Sequence, residues 1–448
     1  MLSAIINSFK IPDLKRRLLI TAALIAVYRV GCYVPTPGID GAALAEFFNR
    51  IAKTQGGTLF GIINMFSGGA MERLTIFALG IMPYISASII LQLLTAVIPS
   101  LEKIAKEGRA GYEKINQYTR YGTIALSIIQ SFFIALWLED PQRFEGLKIV
   151  MFPGWGFRIL TVLTLSTGTI FIMWLGEQIQ EIGIGNGISL VITAGIISRI
   201  PAALHQLFIL LSPFVPSRRQ IQPFTLLIMA AFLVGVVLAV VLITQGQRKI
   251  PVQYARRIVG RKIYGGQSTY IPLKVDTAGV IAIIFAQSII LFPATLASFI
   301  PNPTFQRWAQ GLVRGHLLYT MVYAITIIFF CYFYTAIVFN PLDLSENMKK
   351  YGGFIPGIRP GNSTAEYLDH VMTRITLAGA IFIALIAIFP DFIMAWLKIP
   401  YLVASFFGGT GLLIIVGVML DTIKQIESHL LMHHYEGFIS AGRIRGRR

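Results

Sequence analysis

Long apolar runs, separated by short polar, glycine-rich or proline-rich segments, follow one another along the whole chain. A helix needs about 20 apolar residues to cross the hydrocarbon core of a bilayer, and about ten runs approach that length. The first covers residues 18–34 and the last residues 401–420. The pattern therefore predicts an all-α polytopic membrane protein with about ten transmembrane helices.

Composition excludes most soluble folds. Of the 448 residues, 55% are hydrophobic and only 13% are charged, whereas soluble domains carry about 25% charged residues. Ten spans use most of the apolar residues, so no room remains for a separate soluble domain. The two cysteines, Cys32 and Cys331, lie far apart in apolar runs. They are interpreted as small hydrophobic residues, because their spacing fits neither a disulfide framework nor a metal site.

The remaining charge is strongly basic, with a formal net charge of +17 from 38 Lys and Arg against 21 Asp and Glu. Such an excess fits a nucleic-acid surface, attraction to anionic lipid, or the topology bias of a membrane protein. With the amino terminus in the cytoplasm, the cytoplasmic loops and tails hold 25 of the 38 basic residues and the external ones hold 13. Both termini are therefore predicted to be cytoplasmic.

One apolar, glycine-rich segment, residues 58–71, is too short to cross the membrane and directly precedes the second span. It fits a re-entrant or interfacial turn that merely docks on the bundle. It also fits a movable stopper in a central cavity, because backbone at membrane depth needs protein or a water-lined cavity to receive it. The glycine pairs 56–57 and 68–69 would then act as hinges. Composition alone leaves both interpretations open.

The predicted spans carry almost no charge. Arg29 lies near an external end and Glu177 near an internal one. Ion-coupled transporters bind their driving ion with intramembrane carboxylates or histidines, so a secondary solute transporter is the weaker alternative. A scaffold that binds ribosomes through basic loops without conducting anything is another. No nucleotide-binding loop, metal ligand set or cofactor is predicted, and no enzymatic activity is expected.

Two predicted cytoplasmic loops have features that the positive charge bias of membrane topology does not explain: one is strongly basic, and the other contains a rigid turn. The loop at 245–274 contains Arg256, Arg257 and Arg261 among alternating apolar residues, which suggests a short hairpin. It fits a docking surface and also, equally well, an anchor to anionic lipid headgroups. In the loop at 340–374, prolines and glycines surround Arg359. A rigidly held arginine is typical of recognition of an acidic or nucleic-acid partner.

Several strings identify the chain as similar to the SecY family, the channel subunit of the bacterial Sec translocon. They are Asn64-Met-Phe-Ser-Gly-Gly69, Ile76-Phe-Ala-Leu-Gly-Ile-Met-Pro-Tyr-Ile-Ser-Ala-Ser88, Gln117-Tyr-Thr-Arg-Tyr-Gly122, Gly185-Asn-Gly-Ile-Ser189, Ile250-Pro-Val, Gln267-Ser-Thr, Pro272-Leu-Lys-Val and Pro356-Gly-Ile-Arg-Pro-Gly361. The resemblance extends over essentially the whole chain. It implies two inverted five-helix halves around a central hourglass pore, although no internal repeat is visible in the sequence. The halves are residues 1–200 and 201–421, followed by a basic cytoplasmic tail, 422–448.

The same resemblance assigns roles to individual residues. The pore ring corresponds to Ile81, Ile85, Ile188, Ile192, Ile284 and Ile414. The plug corresponds to Leu59, Phe60, Ile62, Ile63, Asn64, Met65, Phe66, Ser67, Gly68 and Gly69. The lateral gate corresponds to Ser86, Gln130, Gln287 and Ser288. Partner docking corresponds to Arg256, Arg257, Arg261 and Arg359. Without the family, isoleucines that simply pack in a bundle would be the default interpretation. Ala282 departs from the family, which usually has proline there, so the seventh span is expected to be straighter.

The implied function is a passive protein-conducting channel that passes unfolded secretory proteins across the bacterial plasma membrane. Signal sequences and transmembrane helices would leave it sideways into lipid. Implied partners are the small subunits SecE and SecG, the motor ATPase SecA, the ribosome with its RNA and exit-tunnel proteins, nascent polypeptides and anionic lipids.

Overall fold

A computed structural model describes residues 11–54, 64, 66–140, 144, 148–211, 223–254, 257–259, 262–264, 268–299, 317–397, 401–404 and 407–441. Most of this part is helical, which confirms the predicted fold class. Two small antiparallel sheets lie in the predicted loop at 245–274, and one of them also contains a strand from the next long loop.

The first part of the chain is a succession of helices. They are α1 (Pro12–Gly31), α2 (Gly41–Thr54), α3 (Met82–Val97), α4 (Pro99–Lys106), α5 (Arg109–Leu138), α6 (Trp155–Ile182), α7 (Gly187–Ile197) and α8 (Ile200–Leu211). Proline occupies the first turn of α1, α3 and α4, where the missing N–H would have no helical partner anyway. Asn186 caps α7 by accepting a hydrogen bond from the Ser189 N–H at 3.2 Å.

The second part alternates long helices with the sheets. In order it contains α9 (Pro223–Gln245), β1 (Gln247–Tyr254), β2 (Arg257–Val259), β3 (Lys262–Tyr264), β4 (Ser268–Lys274), α10 (Gly279–Phe299), α11 (Leu317–Val338), α12 (Pro341–Lys350), β5 (Gly353–Phe354), α13 (Asn362–Leu397), α14 (Tyr401–Ala404) and α15 (Thr410–Ala441). α10 continues as a helix through Ala282, the position where the resemblance leads one to expect proline.

Six helical stretches of the described chain are long and apolar enough by themselves to cross a membrane, or seven if α3 and α4 form one bent span. The six are Arg109–Leu138, Trp155–Ile182, Gly187–Ile209, Phe224–Gln245, Leu318–Lys350 and Asn362–Ile393. The other predicted spans coincide with α1, α3, α10 and α15, which have shorter apolar parts or charged residues at one end. The chain bends by 101° between α3 and α4, so α4 leaves the direction of its span.

The sheet in the 245–274 loop has the order β4-β1-β5. β1 pairs with β4 from Gln247 opposite Lys274 to Gln253 opposite Ser268. β2 and β3 form the predicted hairpin. Ile250, Val252 and Leu273 of the sheet are buried against residues of α12 and α13. This separate hydrophobic cluster joins the loops at 245–274 and 340–374 into one body.

The main hydrophobic core extends through both halves of the bundle. It includes aromatic side chains of several helices, among them Tyr28 of α1 and Phe330 of α11. By contrast, the outward faces of α6, α9 and α11 expose many large apolar side chains. A bundle that is apolar both inside and outside is expected of a protein solvated by lipid.

Candidate functional site

The six isoleucines predicted to form a ring lie in one continuous hydrophobic cluster. Five of them are buried, and Ile188 is half-buried against the same cluster. They come from four helices: Ile81 and Ile85 from the start of α3, Ile188 and Ile192 from α7, Ile284 from α10, and Ile414 from α15. Each i, i+4 pair presents two side chains on one helix face.

Direct helix contacts bring these residues together. α7 packs on α15, α15 packs on α10, and α10 packs on α3. Gly417 of α15 allows the close approach to α10, because a methyl group there would overlap the side chain of Val280. The cluster therefore joins the two halves of the chain through branched apolar side chains. Such a constriction excludes water and ions by dewetting and offers a passing chain no hydrogen bonds.

A cavity of about 210 Å³ lies against one side of this cluster. Its apolar wall includes Ile283 and Leu413, the chain neighbours of two ring residues, and its polar wall includes Asn186, Asp276 and Asp421. The partly polar cavity is thus bordered by the apolar isoleucine cluster, as expected for one funnel of an hourglass-shaped pore.

Asn64 and Phe66–Gly69 are the plug residues that fall within the described chain; Leu59, Phe60, Ile62, Ile63 and Met65 lie outside the described residues. Asn64, Phe66 and Ser67 are buried. The Gly69 N–H donates to the Asn64 carbonyl at 2.9 Å, and Ser67 Oγ accepts from the Met71 N–H at 3.2 Å. These local bonds fold the segment into compact turns that enter the protein interior.

The turn at Gly68 is seated against the ends of α1 and α7. The Gly68 carbonyl accepts hydrogen bonds from Arg29 Nη1 at 3.2 Å and from Ser198 Oγ at 3.4 Å. Gly195 of α7 lies so close that a methyl group there would be 3.0 Å from the Phe66 carbonyl oxygen. Gly68 itself has φ = +65°, a conformation in which glycine has no steric penalty. The predicted hinge is therefore held by side chains from two helices.

An ion pair closes the other side of the segment. Arg199 Nη1 lies 3.1 Å from Glu72 Oε2. The same oxygen accepts a hydrogen bond from Asn64 Nδ2 at 3.0 Å, while Asn64 Oδ1 accepts from the Glu72 N–H at 3.1 Å. Asn64 and Glu72 thus close the loop between them, and Arg199 ties that loop to the residues between α7 and α8.

The lateral-gate residues lie on three helices that pack together. Ser86 on α3, Gln130 on α5, and Gln287 and Ser288 on α10 are all buried, and α10 contacts both α3 and α5. Within these described residues, no hydrogen bond joins Ser86, Gln130 and Ser288 to one another; Gln287 Oε1 instead accepts from Tyr323 Oη of α11 at 3.3 Å. The polar seam at this contact stays a prediction from the family resemblance.

The docking arginines are only partly within the described chain. Arg256 and Arg261 lie outside it, and Arg257 is the first residue of β2. Arg359 is exposed in the turn between β5 and α13. Its carbonyl accepts from Thr364 Oγ1 at 2.8 Å, and the flanking Gly357 and Gly361 have φ of +83° and +105°. Arg359 therefore projects from a turn fixed by its backbone.

The sequence gives no local sign of the contacts made by Glu72, Arg199 and Ser198. Arg199 follows an apolar span, where its charge bears on topology alone, and Glu72 follows the glycine pair without a visible partner. The only sequence signal for the ion pair is that Glu72 and Arg199 carry opposite charges at the edges of two apolar segments. Because the two residues are 127 positions apart, the sequence does not indicate that they pair.

An apolar closure beside a polar cavity, with a non-spanning segment held nearby by a few polar contacts, defines a gated membrane channel. The SecY family model matches residues 75–423. SecY, a protein translocase subunit of Escherichia coli K12, is 48% identical over 440 residues, which cover 97% of this chain and 96% of that protein. The corresponding subunit of Aquifex aeolicus is 43% identical and covers 96% of this chain and 98% of its own length.

Solved structures with this fold are also channels. A protein-conducting channel matches with a TM-score of 0.63 and 17% identity, and covers 92% of each chain. Sec61 in the canine ribosome-channel complex from the endoplasmic reticulum matches with a TM-score of 0.59 and 16% identity, again over 92% of each chain. A SecY structure described for a plug domain that stabilises the closed state has a TM-score of 0.61, 20% identity and the same coverage.

The chain is thus a multi-pass membrane protein of the protein-conducting channel class. It belongs to the SecY family. Its function is that of a protein translocase subunit, and its relatives are channel subunits rather than enzymes. The comparisons give no support to the alternative of a secondary solute transporter.

Proposed function

We propose that the six ring isoleucines form the constriction through which a translocating polypeptide passes. One observation carries the assignment: isoleucines from four helices and both halves of the chain meet in one buried cluster beside a polar cavity. An unfolded chain would displace these side chains without needing to exchange hydrogen bonds, and they would close again behind it. The channel itself would catalyse no covalent chemistry.

Cross-linking a stalled precursor tests this assignment. A photoreactive or cysteine probe at Ile85 or Ile192 is expected to capture a secretory precursor arrested during motor-driven transport into vesicles. Ile159, on the exposed face of α6, is the matched control and is expected to capture none. Equal capture at all three positions would contradict the assignment.

The second proposed role is that of the plug, residues 58–71. Its support is the set of contacts from Asn64 to Glu72, which attach its described part to α1 and to the end of α7. Movement away from these contacts would unseal the path. Deletion of residues 58–71 is expected to make resting vesicles leaky to ions, and a tight seal after deletion would contradict the role.

Lateral release is proposed at the contact between α3 and α10. Each helix buries a small polar side chain there, Ser86 and Ser288. Polar pairs within a membrane contribute about 0.6–2 kcal/mol each, so a seam with few of them is able to part for an apolar helix.

The cytoplasmic body of β1–β5, α12 and the start of α13 is proposed as the docking surface. Its support is the exposed Arg359 on a fixed turn and the basic hairpin that contains Arg257. The proposed partners are the ribosome, including its RNA, and the motor ATPase SecA. SecE and SecG are proposed to pack on the exposed apolar faces of the bundle. Anionic lipids are proposed as further partners.

The charge count supports a bacterial plasma-membrane orientation with both termini in the cytoplasm. From the membership of the SecY family we propose the division into halves 1–200 and 201–421, followed by a basic tail 422–448. Labelling of single cysteines from either side of a vesicle tests the orientation.

A further inference from the structure

Three large apolar side chains are exposed at the turn between α5 and α6. Met151, Phe152 and Trp155 are 62%, 81% and 68% exposed, respectively. We call residues 151–155 the tip. Isolated exposed apolar residues are common on proteins, but three within five residues form a patch that indicates contact with something other than water.

The apolar surface of the tip continues along α6. Ile159 and Leu163 follow Trp155 by four and eight residues, so they lie on the same helix face, and both are exposed. α6 is long and apolar enough to span the membrane by itself. Its exposed face is therefore turned to lipid, and the tip extends that lipid-facing surface beyond the first residue of the helix.

Charged groups beside the tip are paired with one another. The Arg158 guanidinium lies 5.1 Å from the centre of the Trp155 ring, and its Nε donates to Glu139 Oε2 at 2.8 Å. Glu139 Oε1 accepts from the Gly154 N–H at 2.9 Å. A tryptophan stacked on a paired arginine at the end of a span has the amphipathic character of side chains at the headgroup level of a bilayer.

Backbone hydrogen bonds connect the tip to the segment between α1 and α2. The Met151 N–H donates to the Gly38 carbonyl at 3.2 Å, and the Asp40 N–H donates to the Ile149 carbonyl at 2.9 Å. Gly38, with φ = +85°, also packs against Phe157 of α6.

The same segment pairs in turn with the residues that follow the plug. The Thr36 N–H donates to the Leu74 carbonyl at 3.1 Å, and the Ile76 N–H donates to the Val34 carbonyl at 3.0 Å. Leu74 is buried and has φ = +40°, a conformation that costs a non-glycine residue energy and persists only when its surroundings impose it. Two short backbone pairings, which we together call the ladder, thus connect the tip through residues 34–40 to residues 74–76, just after the plug segment.

We propose that the tip inserts into the headgroup–acyl boundary of the membrane leaflet on this side, and that it anchors the plug's supporting ladder to that leaflet. Lipid is the occupant because the patch is continuous with the lipid-facing side of a membrane span. The insertion is independent of any role for the plug, whereas the anchoring rests on the proposed plug function.

Fluorescence quenching tests the insertion. Phe152→Cys and Tyr351→Cys variants, each labelled with one fluorophore, are placed in nanodiscs of phospholipids that carry a quencher near the headgroup. Tyr351 is 78% exposed on the cytoplasmic body, so it matches Phe152 in exposure, and the native cysteines are buried. Quenching at 152 is expected to exceed that at 351 by about twofold or more, since only the tip reaches lipid. Equal quenching would overturn the insertion, and labelling of the unmodified chain gives the background.

Ion leakage from vesicles tests the anchoring. Phe152→Asp is expected to raise the resting leak several-fold, because the charge withdraws the tip from lipid and loosens the ladder. Phe208→Asp, which changes an equally exposed aromatic residue of α8, is expected to leave the leak unchanged. An unchanged leak in Phe152→Asp, or an equal rise in both variants, would overturn the anchoring. If deletion of residues 58–71 also fails to cause leakage, it is the plug function that fails, and the quenching result stands.

Discussion

The Nη1 atom of Arg199 lies 3.1 Å from Oε2 of Glu72, and this contact ties the end of α7 to the end of the plug segment. Each side chain is 24% exposed, so solvent screens the pair in part. A pair in such surroundings is expected to contribute about 1 kcal/mol. That amount biases a gate without locking it, because it changes the ratio of closed to open channels by about fivefold.

Loss of either charge is expected to loosen the plug. Glu72→Gln leaves the Arg199 guanidinium near the plug without its counter-charge, and the resting ion leak of vesicles is expected to rise by about fivefold. Arg199→Glu is expected to have at least as large an effect, because two carboxylates would then face each other. Exchange of the two charges in one chain is expected to restore much of the seal.

A matched control for this prediction is the exposed pair of Arg109 and Glu113 on α5, whose Nε and Oε1 atoms lie 3.3 Å apart. Glu113→Gln is expected to leave the leak at its normal value. Failure of the exchanged pair to seal better than either single variant would show that the ion pair does not hold the plug.

A methyl group at Gly68 is expected to unseat the plug. The Cβ of Gly68→Ala would lie 2.8 Å from Arg29 Nη1 and 3.0 Å from the Gly195 Cα. It would also require alanine at φ = +65°, which is unfavourable for a residue with a Cβ atom. The resting leak is therefore expected to rise while the channel remains able to transport, as measured by ion flux and by protease protection of a precursor.

Gly108→Ala separates strain from steric overlap. Gly108 has φ = +73°, but no heavy atom lies within 4 Å of a Cβ placed there. The variant is expected to cost a little stability without leakage. If the two variants leak equally, a general loss of stability is the cause and the plug seat is not.

The apolar pattern predicts the helices well, because lipid and the bundle interior both demand apolar side chains along the spans. Helix boundaries and the β2–β3 hairpin follow from proline, glycine and charge placement, as at Pro99, where α4 turns away from α3. The isoleucines are chemically indistinguishable from ordinary packing residues, so their common cluster follows from the family resemblance and the structure, and not from periodicity.

Contacts between distant segments escape the sequence for a different reason. The Gly68 carbonyl binds side chains of α1 and α7, and neither Arg29 nor Ser198 carries a local motif that points to it. The glycine pair at 68–69 predicts a hinge, and the structure adds the side chains that hold this turn in place.

A polar side chain in the ring is expected to hydrate the constriction. Ile192 is fully buried in the isoleucine cluster, and Ile192→Asn would introduce an amide where water is otherwise excluded. Single-channel recordings are expected to find more frequent ion-conducting openings even with the plug intact. Ile159→Asn, on the exposed face of α6, is expected to conduct like the unmodified channel, and equal conductance of the two variants would contradict the ring assignment.

Reversal of the charge at Arg359 is expected to abolish motor-driven transport without disturbing the fold. The side chain is exposed, and its turn is fixed by backbone geometry and the Thr364 hydroxyl. Arg359→Glu therefore reverses the charge presented to a partner without removing any packing contact. Protease protection of a secretory precursor measures transport, and thermal unfolding in detergent measures the fold. Arg374→Glu, an exposed charge on α13, serves as the control because it repeats the charge change outside the turn. Normal transport by Arg359→Glu would remove this turn from the docking surface, and an equal loss in both variants would mean that overall charge, rather than a fixed arginine, attracts the partner.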